Sequence, residues 1–408
     1  MEWMKSPNRW LPLGLVALCF TLGVATRAFN DSFAVFVPRL ERAFEAPRAS
    51  ITGIYSVAMI AIGLCGPFAG LIVDRLGPLR LALLGLVAAG GGGVLASQAG
   101  ALWQLYLALG VAIGVSGAAI GGVFHAAVLG RWFSARLGTA LAVAWSASGI
   151  GQMILAPLAQ ALIEAHDWRF AYLVLGCGVL AIIVPVVLLP WKRVDAGDSA
   201  VMVLRRPPGT SGPSLGRALG ELPFWALSLS YSMTAVAIFC LAPQVVAYLA
   251  SRGLTLTHAA HVWAITGLMM PLGMIGFNWL ADRGGRVLGA ASAYACSALG
   301  VVALWLVDGP DDWPLLAAFA VLFGSTSGSR GPMITTLATL RYSGAHLGRI
   351  LGCMTIGMGI GAGLGAWIGG LLLDVTGGYG AVMVLSLVSL AIAAAGLIFE
   401  ASNRERMR

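Results

Sequence analysis

Four side chains that can carry charge lie deep inside apolar stretches of the chain: Arg27, Asp31, His125 and Arg330. In a bilayer such a charge costs roughly 2.5–3.5 kcal/mol on insertion scales, so each needs a partner or a wet cavity. Arg330 sits in Gly324-Ser325-Thr326-Ser327-Gly328-Ser329-Arg330-Gly331-Pro332, with no acid in its own apolar stretch. A planar guanidinium left over in this way suits a carboxylate, which it can hold in bidentate fashion. The alternatives are a salt bridge to Asp31 or an arginine capped by carbonyls. Arg27 and Asp31 are four residues apart, so on a helix they share a face and can pair. Either they neutralise each other permanently, or the pair opens when substrate or a proton arrives. Asn30 is expected to face elsewhere or to hydrogen-bond locally. His125 titrates near neutral pH and can carry a coupling proton or simply pack. Gln244, Tyr248, Gln152, Tyr231, Trp145 and Trp263 are further candidates for a cavity lining, set against ordinary packing roles.

Other chemistries find no support. The chain has no GxxxxGK[ST], GxSxG or HExxH motif, so no enzyme, cofactor or ATP dependence is expected. The six cysteines are scattered among apolar residues without a CxxC pair, and no metal site is expected from them. His258 and His261 stand three apart with no acidic or cysteine ligand nearby.

The elements that must position these residues follow from composition. Of 408 residues, 59% are hydrophobic and 10% charged, against about 25% charged in soluble domains. Mean hydropathy is +0.87. Twelve apolar segments occupy approximately 11–37, 50–73, 80–97, 102–129, 137–164, 170–190, 222–250, 258–281, 287–307, 313–339, 347–373 and 379–400. Only helices and closed barrels satisfy the backbone in lipid. These segments lack the alternation of barrel strands and are too long for them. The first is too long for a cleaved signal and carries Arg27 and Asp31, so it is read as a retained helix. Residues 191–221 form the one long polar break, basic and rich in proline and glycine, and read as a flexible linker. The expected layout is therefore an N-terminal six-helix bundle at 1–190, a cytoplasmic linker at 191–221 and a C-terminal six-helix bundle at 222–408.

Charge sets the orientation. With the N-terminus in the cytoplasm, eighteen lysines and arginines fall on the cytoplasmic side and five (Arg39, Arg42, Arg48, Arg169 and Arg252) on the other. The positive-inside rule then places both termini in the cytoplasm. It also accounts for the net charge of +8 without nucleic acid. The halves echo one another. Asp74-Arg75-Leu76-Gly77 recurs as Asp282-Arg283-Gly284-Gly285, an offset of 208, while Arg131 matches Arg341, Gly138 matches Gly348 and Glu164 matches Asp374 at 210. Matches at nearly one offset, each at an equivalent helix end, suggest duplicated six-helix units, a known transporter architecture.

Gly70-Leu71-Ile72-Val73-Asp74-Arg75-Leu76-Gly77-Pro78-Leu79-Arg80 resembles the GxxxDRxGxxR loop of the major facilitator superfamily, with a degenerate copy at Asp282-Arg283-Gly284-Gly285-Arg286. Arg131-Trp132-Phe133-Ser134-Ala135-Arg136-Leu137-Gly138, leading into Ala147-Ser148-Gly149-Ile150-Gly151, is similar to the monocarboxylate and oxalate/formate porter group, as is Asp31-Ser32-Phe33 in helix 1. The resemblance implies an all-α membrane protein, with twelve transmembrane helices in two pseudo-symmetric bundles that rock about a site lined by helices 1, 4, 7 and 10. It also implies that Asp74, Arg75, Gly77, Arg80, Asp282 and Arg283 act as a conformational latch, which in the family locks the outward-open state. The porters usually place key basic residues in helix 8 or 11; helix 8 here has none between His261 and Ala281.

The expected function is transport of a small organic anion, such as a monocarboxylate, across the cell inner membrane by a monomer. Arg330, Arg27, Gln244, Tyr248 and Gln152 would bind the anion, and Asp31 or His125 would take a coupling proton. The rival is an exporter of hydrophobic or amphiphilic compounds.

Overall fold

The computed structural model describes residues 10–133, 137–196, 213–342 and 346–406. All regular structure among them is helical. The first half contains α1 (Trp10–Phe44), α2 (Arg48–Leu76), α3 (Pro78–Ser97), α4 (Leu102–Leu129), α5 (Leu137–Ala165) and α6 (Trp168–Leu188). The second contains α7 in two pieces (Leu222–Phe239 and Val245–Ser251), α8 (Leu256–Gly284), α9 (Arg286–Trp305), α10 in two pieces (Trp313–Ser327 and Arg330–Arg341), α11 (Leu347–Thr376) and α12 (Gly380–Arg406). Each half thus supplies six crossings. Two short helices, Trp191–Ala196 and Leu215–Leu219, flank residues 197–212; that stretch, most of the expected linker, lies outside the described residues.

The sequence spans are matched to within a few residues, except at two helix ends; α12 runs on to Arg406, past the expected end at 400. Helix α1 runs on to Phe44 through Pro38, past the boundary at 37 that the proline and following arginines suggested. Three helices break in mid-span for local reasons. In α10, Pro332 has no N–H to give to the Gly328 carbonyl, and the pieces part at Gly328 and Ser329. In α7, Pro243 does the same for Phe239, and residues 240–244 form a turn. In α4, Gly121 takes an extended conformation (φ −76°, ψ −151°), and a π-helical stretch runs from Tyr106 to Val111. Extended backbone leaves carbonyls unpaired, which is tolerated at membrane depth only against protein or a cavity.

Small residues bring the two halves together. A Cβ on Gly359 of α11 would lie 2.8 Å from Gly63 Cα of α2 and 3.0 Å from the Met59 carbonyl. A Cβ on Gly149 of α5 would lie 2.9 Å from Pro271 of α8. Such close backbone approach is how membrane helices gain packing without a hydrophobic driving force between them. The contact along α2 and α11 continues to the face opposite the chain termini, where Ala49 meets Gly370. Towards the face that carries the termini, Gly66, Gly70, Gly348 and Gly352 meet nothing. The halves are closed at the far face and splayed at the terminal face.

Candidate functional site: a central cavity between the halves

A cavity of about 420 Å3 lies between the halves, large enough for a small metabolite. One stripe of α1 forms its polar wall. Gly23, Thr26, Arg27, Asn30, Asp31 and Ala34 recur at helical spacing and all face it. Asn30 is therefore in the wall, which overturns the first of its two expected placements: three residues from Arg27, it borders the same stripe.

Arg27 and Asp31 form the bidentate pair that their spacing predicts. Arg27 Nε donates to Asp31 Oδ2 at 2.9 Å, and Nη2 donates to Oδ1 at 2.9 Å. The two partners differ in access. The Asp31 side chain is 6% exposed and Arg27 40%. Nη1 has no hydrogen bond among the described residues. Both groups are in the cavity wall, but the guanidinium edge is the more open of the two and the carboxylate is largely covered. Asp31 is further fixed through its backbone, where its carbonyl accepts from Trp263 Nε1 of α8 at 3.1 Å.

His125 starts the second piece of α4 and also lines the cavity. It is 4% exposed, lies edge-on to Phe124 (6.2 Å between centroids) and has the Cys19 carbonyl nearby. Neither ring nitrogen meets hydrogen-bond geometry. Gln152 of α5 reaches across to the other half, donating to the Trp263 carbonyl at 2.8 Å and to Thr266 Oγ1 at 2.7 Å. Its amide is thus both wall and tie.

Three expected site residues do not join this constellation. Arg330 is fully buried and is absent from the cavity wall, although its neighbours Gly328, Gly331 and Pro332 are in it. Its guanidinium lies 5.5 Å from the Tyr294 ring centroid, and none of its three nitrogens has a hydrogen-bond partner among the described residues. The break in α10 exposes small residues to the cavity and turns the arginine outward into the second half. Gln244 is 1% exposed and donates to the Cys240 carbonyl at 3.3 Å, against Gly369 of α11. Tyr248 is buried and donates to the carbonyls of Leu304 and Trp305 at 3.0 and 3.3 Å. Both follow the turn in α7, which swings the second piece away from the cavity.

Other wall residues carried no sequence signal. Tyr55 and Met59 come from α2, and Thr234 and Phe239 from α7. Met59, Met270, Met274 and Met358, with Trp145, Trp263, Tyr231 and Phe239, make the rest of the lining soft and largely apolar. Outside the cavity, the latch segment occupies the terminal face. Gly77 and Gly285 adopt φ +82° and +94° at equivalent turns, conformations that favour glycine. Arg75, Arg80, Asp282 and Arg283 are exposed, and Arg283 lies 4.6 Å from the Trp279 ring. The Asp74 side chain lies outside the described residues.

The family model described as Major Facilitator Superfamily matches this chain over residues 13–310 and 227–407. The chain belongs to the major facilitator superfamily. It is accordingly a multi-pass membrane transporter and not an enzyme. Among relatives of this superfamily member, monocarboxylate transporter 12 of Homo sapiens is 30% identical, the match covering 91% of this chain and 77% of that protein. Monocarboxylate transporter 12 of Mus musculus is 29% identical, with 91% and 81% covered. The uncharacterised transporter YcxA of Bacillus subtilis is 22% identical, with 92% and 91% covered. A solved structure of a bacterial homologue of the human lysosomal transporter Spinster, inward-facing and occupied, shares the fold with a TM-score of 0.70. It is 16% identical, and the alignment spans 98% of each chain.

Proposed function

We propose that this transporter carries a small organic anion, in the first instance a monocarboxylate, by alternating access and with a proton. The single observation that carries the proposal is the Arg27 edge, a guanidinium 40% exposed at the central cavity whose acid partner, in the same wall, is only 6% exposed. A carboxylate that binds there meets a charge-assisted donor at Nη1, the edge that Asp31 does not occupy. Gln152, Asn30 and Thr266 supply neutral polar groups beside it.

The same geometry motivates the proton. Arg27 and Asp31 together are neutral, so an added carboxylate leaves one net negative charge in a poorly solvated cavity. A proton on Asp31 or His125 removes it. The relatives named as monocarboxylate transporters support the cargo class. The proposed orientation follows the arginine and lysine asymmetry, with both termini in the cytoplasm of a cell whose inner membrane holds a monomer. The cavity is then open inward. The loops around Asp74, Arg75, Gly77 and Arg80, and around Asp282 and Arg283, would engage only when the terminal face closes.

The apolar, methionine-rich remainder of the wall favours a second reading, export of amphiphilic compounds. Proteoliposome uptake of labelled lactate and larger monocarboxylates, compared with efflux of cationic amphiphiles, separates the two. Saturable acid uptake that Arg27→Ala abolishes supports the anion reading. Acid uptake unaffected by that substitution, or transport of cationic amphiphiles alone, defeats it.

A further inference from the structure

The far face is held shut by two carboxylates that the internal repeat relates. Glu164 and Asp374 lie 210 residues apart, each near the end of a long helix at the seam between the halves, α5 and α11 respectively. Each reaches the start of the facing helix in the other half. Asp374 accepts from Arg48 N at 2.9 Å through Oδ1 and from Ala49 N at 2.7 Å through Oδ2. Glu164 Oε1 accepts from Thr257 Oγ1 at 2.5 Å, at the start of α8.

The two contacts are not equal. Helix α2 follows Pro47, which has no side-chain acceptor for the free N–H groups at the helix start. Asp374 supplies that cap from the other half and places a negative charge at the positive end of the α2 dipole. Helix α8 already has its own cap, because Thr255 accepts from His258 N at 3.2 Å. Glu164 there takes only a hydroxyl, and shares its Oε1 with Gln160 Nε2 at 2.7 Å. The cations beside them differ: Arg39 lies near enough to Glu164 to attract its carboxylate, whereas the one beside Asp374 is engaged elsewhere. Arg48 directs its guanidinium at Glu41 of α1 rather than at Asp374.

We propose that Asp374 and Glu164 are gate-positioning residues that hold the far face closed, with Asp374 the stronger of the two. Both contacts join opposite halves at the closed face, so they exist only while that face is shut. Their loss weakens one state of the cycle and leaves the other unchanged, which shifts the population. The inference rests on the alternating-access reading and is independent of the cargo.

The test uses the full chain in oriented vesicles with two cysteine reporters. Thr52→Cys places a thiol at a fully buried position against Gly370, and a membrane-impermeant maleimide is applied from the far face. Ser327→Cys places one in the cavity wall, and the reagent is applied from the terminal face. Labelling of chains with only the native cysteines is subtracted. Asp374→Ala is expected to speed far-face labelling of Thr52→Cys about ten- to hundredfold, the loss of hydrogen bonds to a charged group. Glu164→Ala is expected to speed it only about two- to tenfold, as for one neutral donor. Labelling of Ser327→Cys must fall by the share of molecules that leave the far-face-closed state, a change of opposite sign that general loosening or unfolding does not produce, since either raises both signals. Asp374→Asn, which keeps one acceptor, is expected to fall between parent and Asp374→Ala. Unchanged labelling in Asp374→Ala, a larger effect from Glu164→Ala, or a rise in both reporters overturns the proposal. Rapid far-face labelling of Thr52→Cys in the otherwise unaltered chain would instead contradict the alternating-access reading itself.

Discussion

Arg27 and Arg330 both lie within the apolar spans, one in each half, and the fold treats them in opposite ways. Arg27 is clasped by an acid one helical turn away and still shows 40% of its side chain to the cavity. Arg330 has no hydrogen-bonded partner among the described residues and shows nothing to the cavity. It rests against Tyr294, whose hydroxyl lies 2.7 Å from Thr234 Oγ1, and Thr234 is in the cavity wall. One layer of protein thus separates the second guanidinium from the lumen. An isolated cation in an apolar span is therefore not the same thing as a cation in the site. What matters is which side of its helix meets the cavity, and in α10 that side belongs to Gly328, Gly331 and Pro332.

The largest expected effect tests the first arginine. Arg27→Ala should lower initial acid uptake in proteoliposomes about ten- to hundredfold, the range for a hydrogen-bonded charge. Arg27→Lys should recover part of it, because an ammonium keeps the charge but not the planar fork. Retention of full uptake by Arg27→Ala, with loss in an Arg330 variant, would reverse the comparison.

The acid partner comes next. Asp31→Asn should preserve counterflow while net uptake loses most of its response to an imposed proton gradient. Net uptake that still follows the gradient would move the coupling proton to His125, and His125→Gln would then abolish the response.

Arg330→Met should move stability rather than transport. A buried charge without an ion partner carries an uncompensated desolvation cost, on the order of several kcal/mol per ion, which an apolar side chain of similar volume removes. The melting temperature of the purified transporter should rise, and acid uptake should stay within about threefold of the parent. A fall in uptake comparable with that of Arg27→Ala would mean that Arg330 reaches the cavity at another stage of the cycle.

The smallest effect belongs to the layer between them. Tyr294→Phe removes one hydroxyl that pairs with Thr234, worth about 0.5–1.5 kcal/mol. It should change the melting temperature slightly and the concentration for half-maximal uptake by less than about threefold.

Much of the fold was legible because lipid leaves the backbone so few options. Length, hydropathy and the arginine–lysine asymmetry lead directly to helices, their number and a duplicated plan. Half of the site was legible for an equally local reason. Arg27 and Asp31 share a face by their spacing, and Asn30, three residues from Arg27, borders the same stripe. Gln152 and His125 also line the cavity as the sequence suggested. Gln244 and Tyr248 do not, because a proline-bearing turn in α7 leaves Ala242 and Pro243 in the wall and redirects the piece that follows, and a span counted as one helix carries no record of such a swing.

The sequence by itself determined that this is a twelve-crossing transporter with paired halves and an arginine–aspartate pair in its first helix. Each of those properties depends on hydropathy, charge count or spacing within one segment. Only the tertiary structure decided which buried arginine meets the cavity, which face is shut and what shuts it. Those depend on helix rotation, on breaks at Gly121, Pro243 and Pro332, and on contacts such as Asp374 with Arg48 and Ala49, more than three hundred residues apart in the chain. No periodicity in one stretch of chain can encode where a second, distant stretch will come to rest.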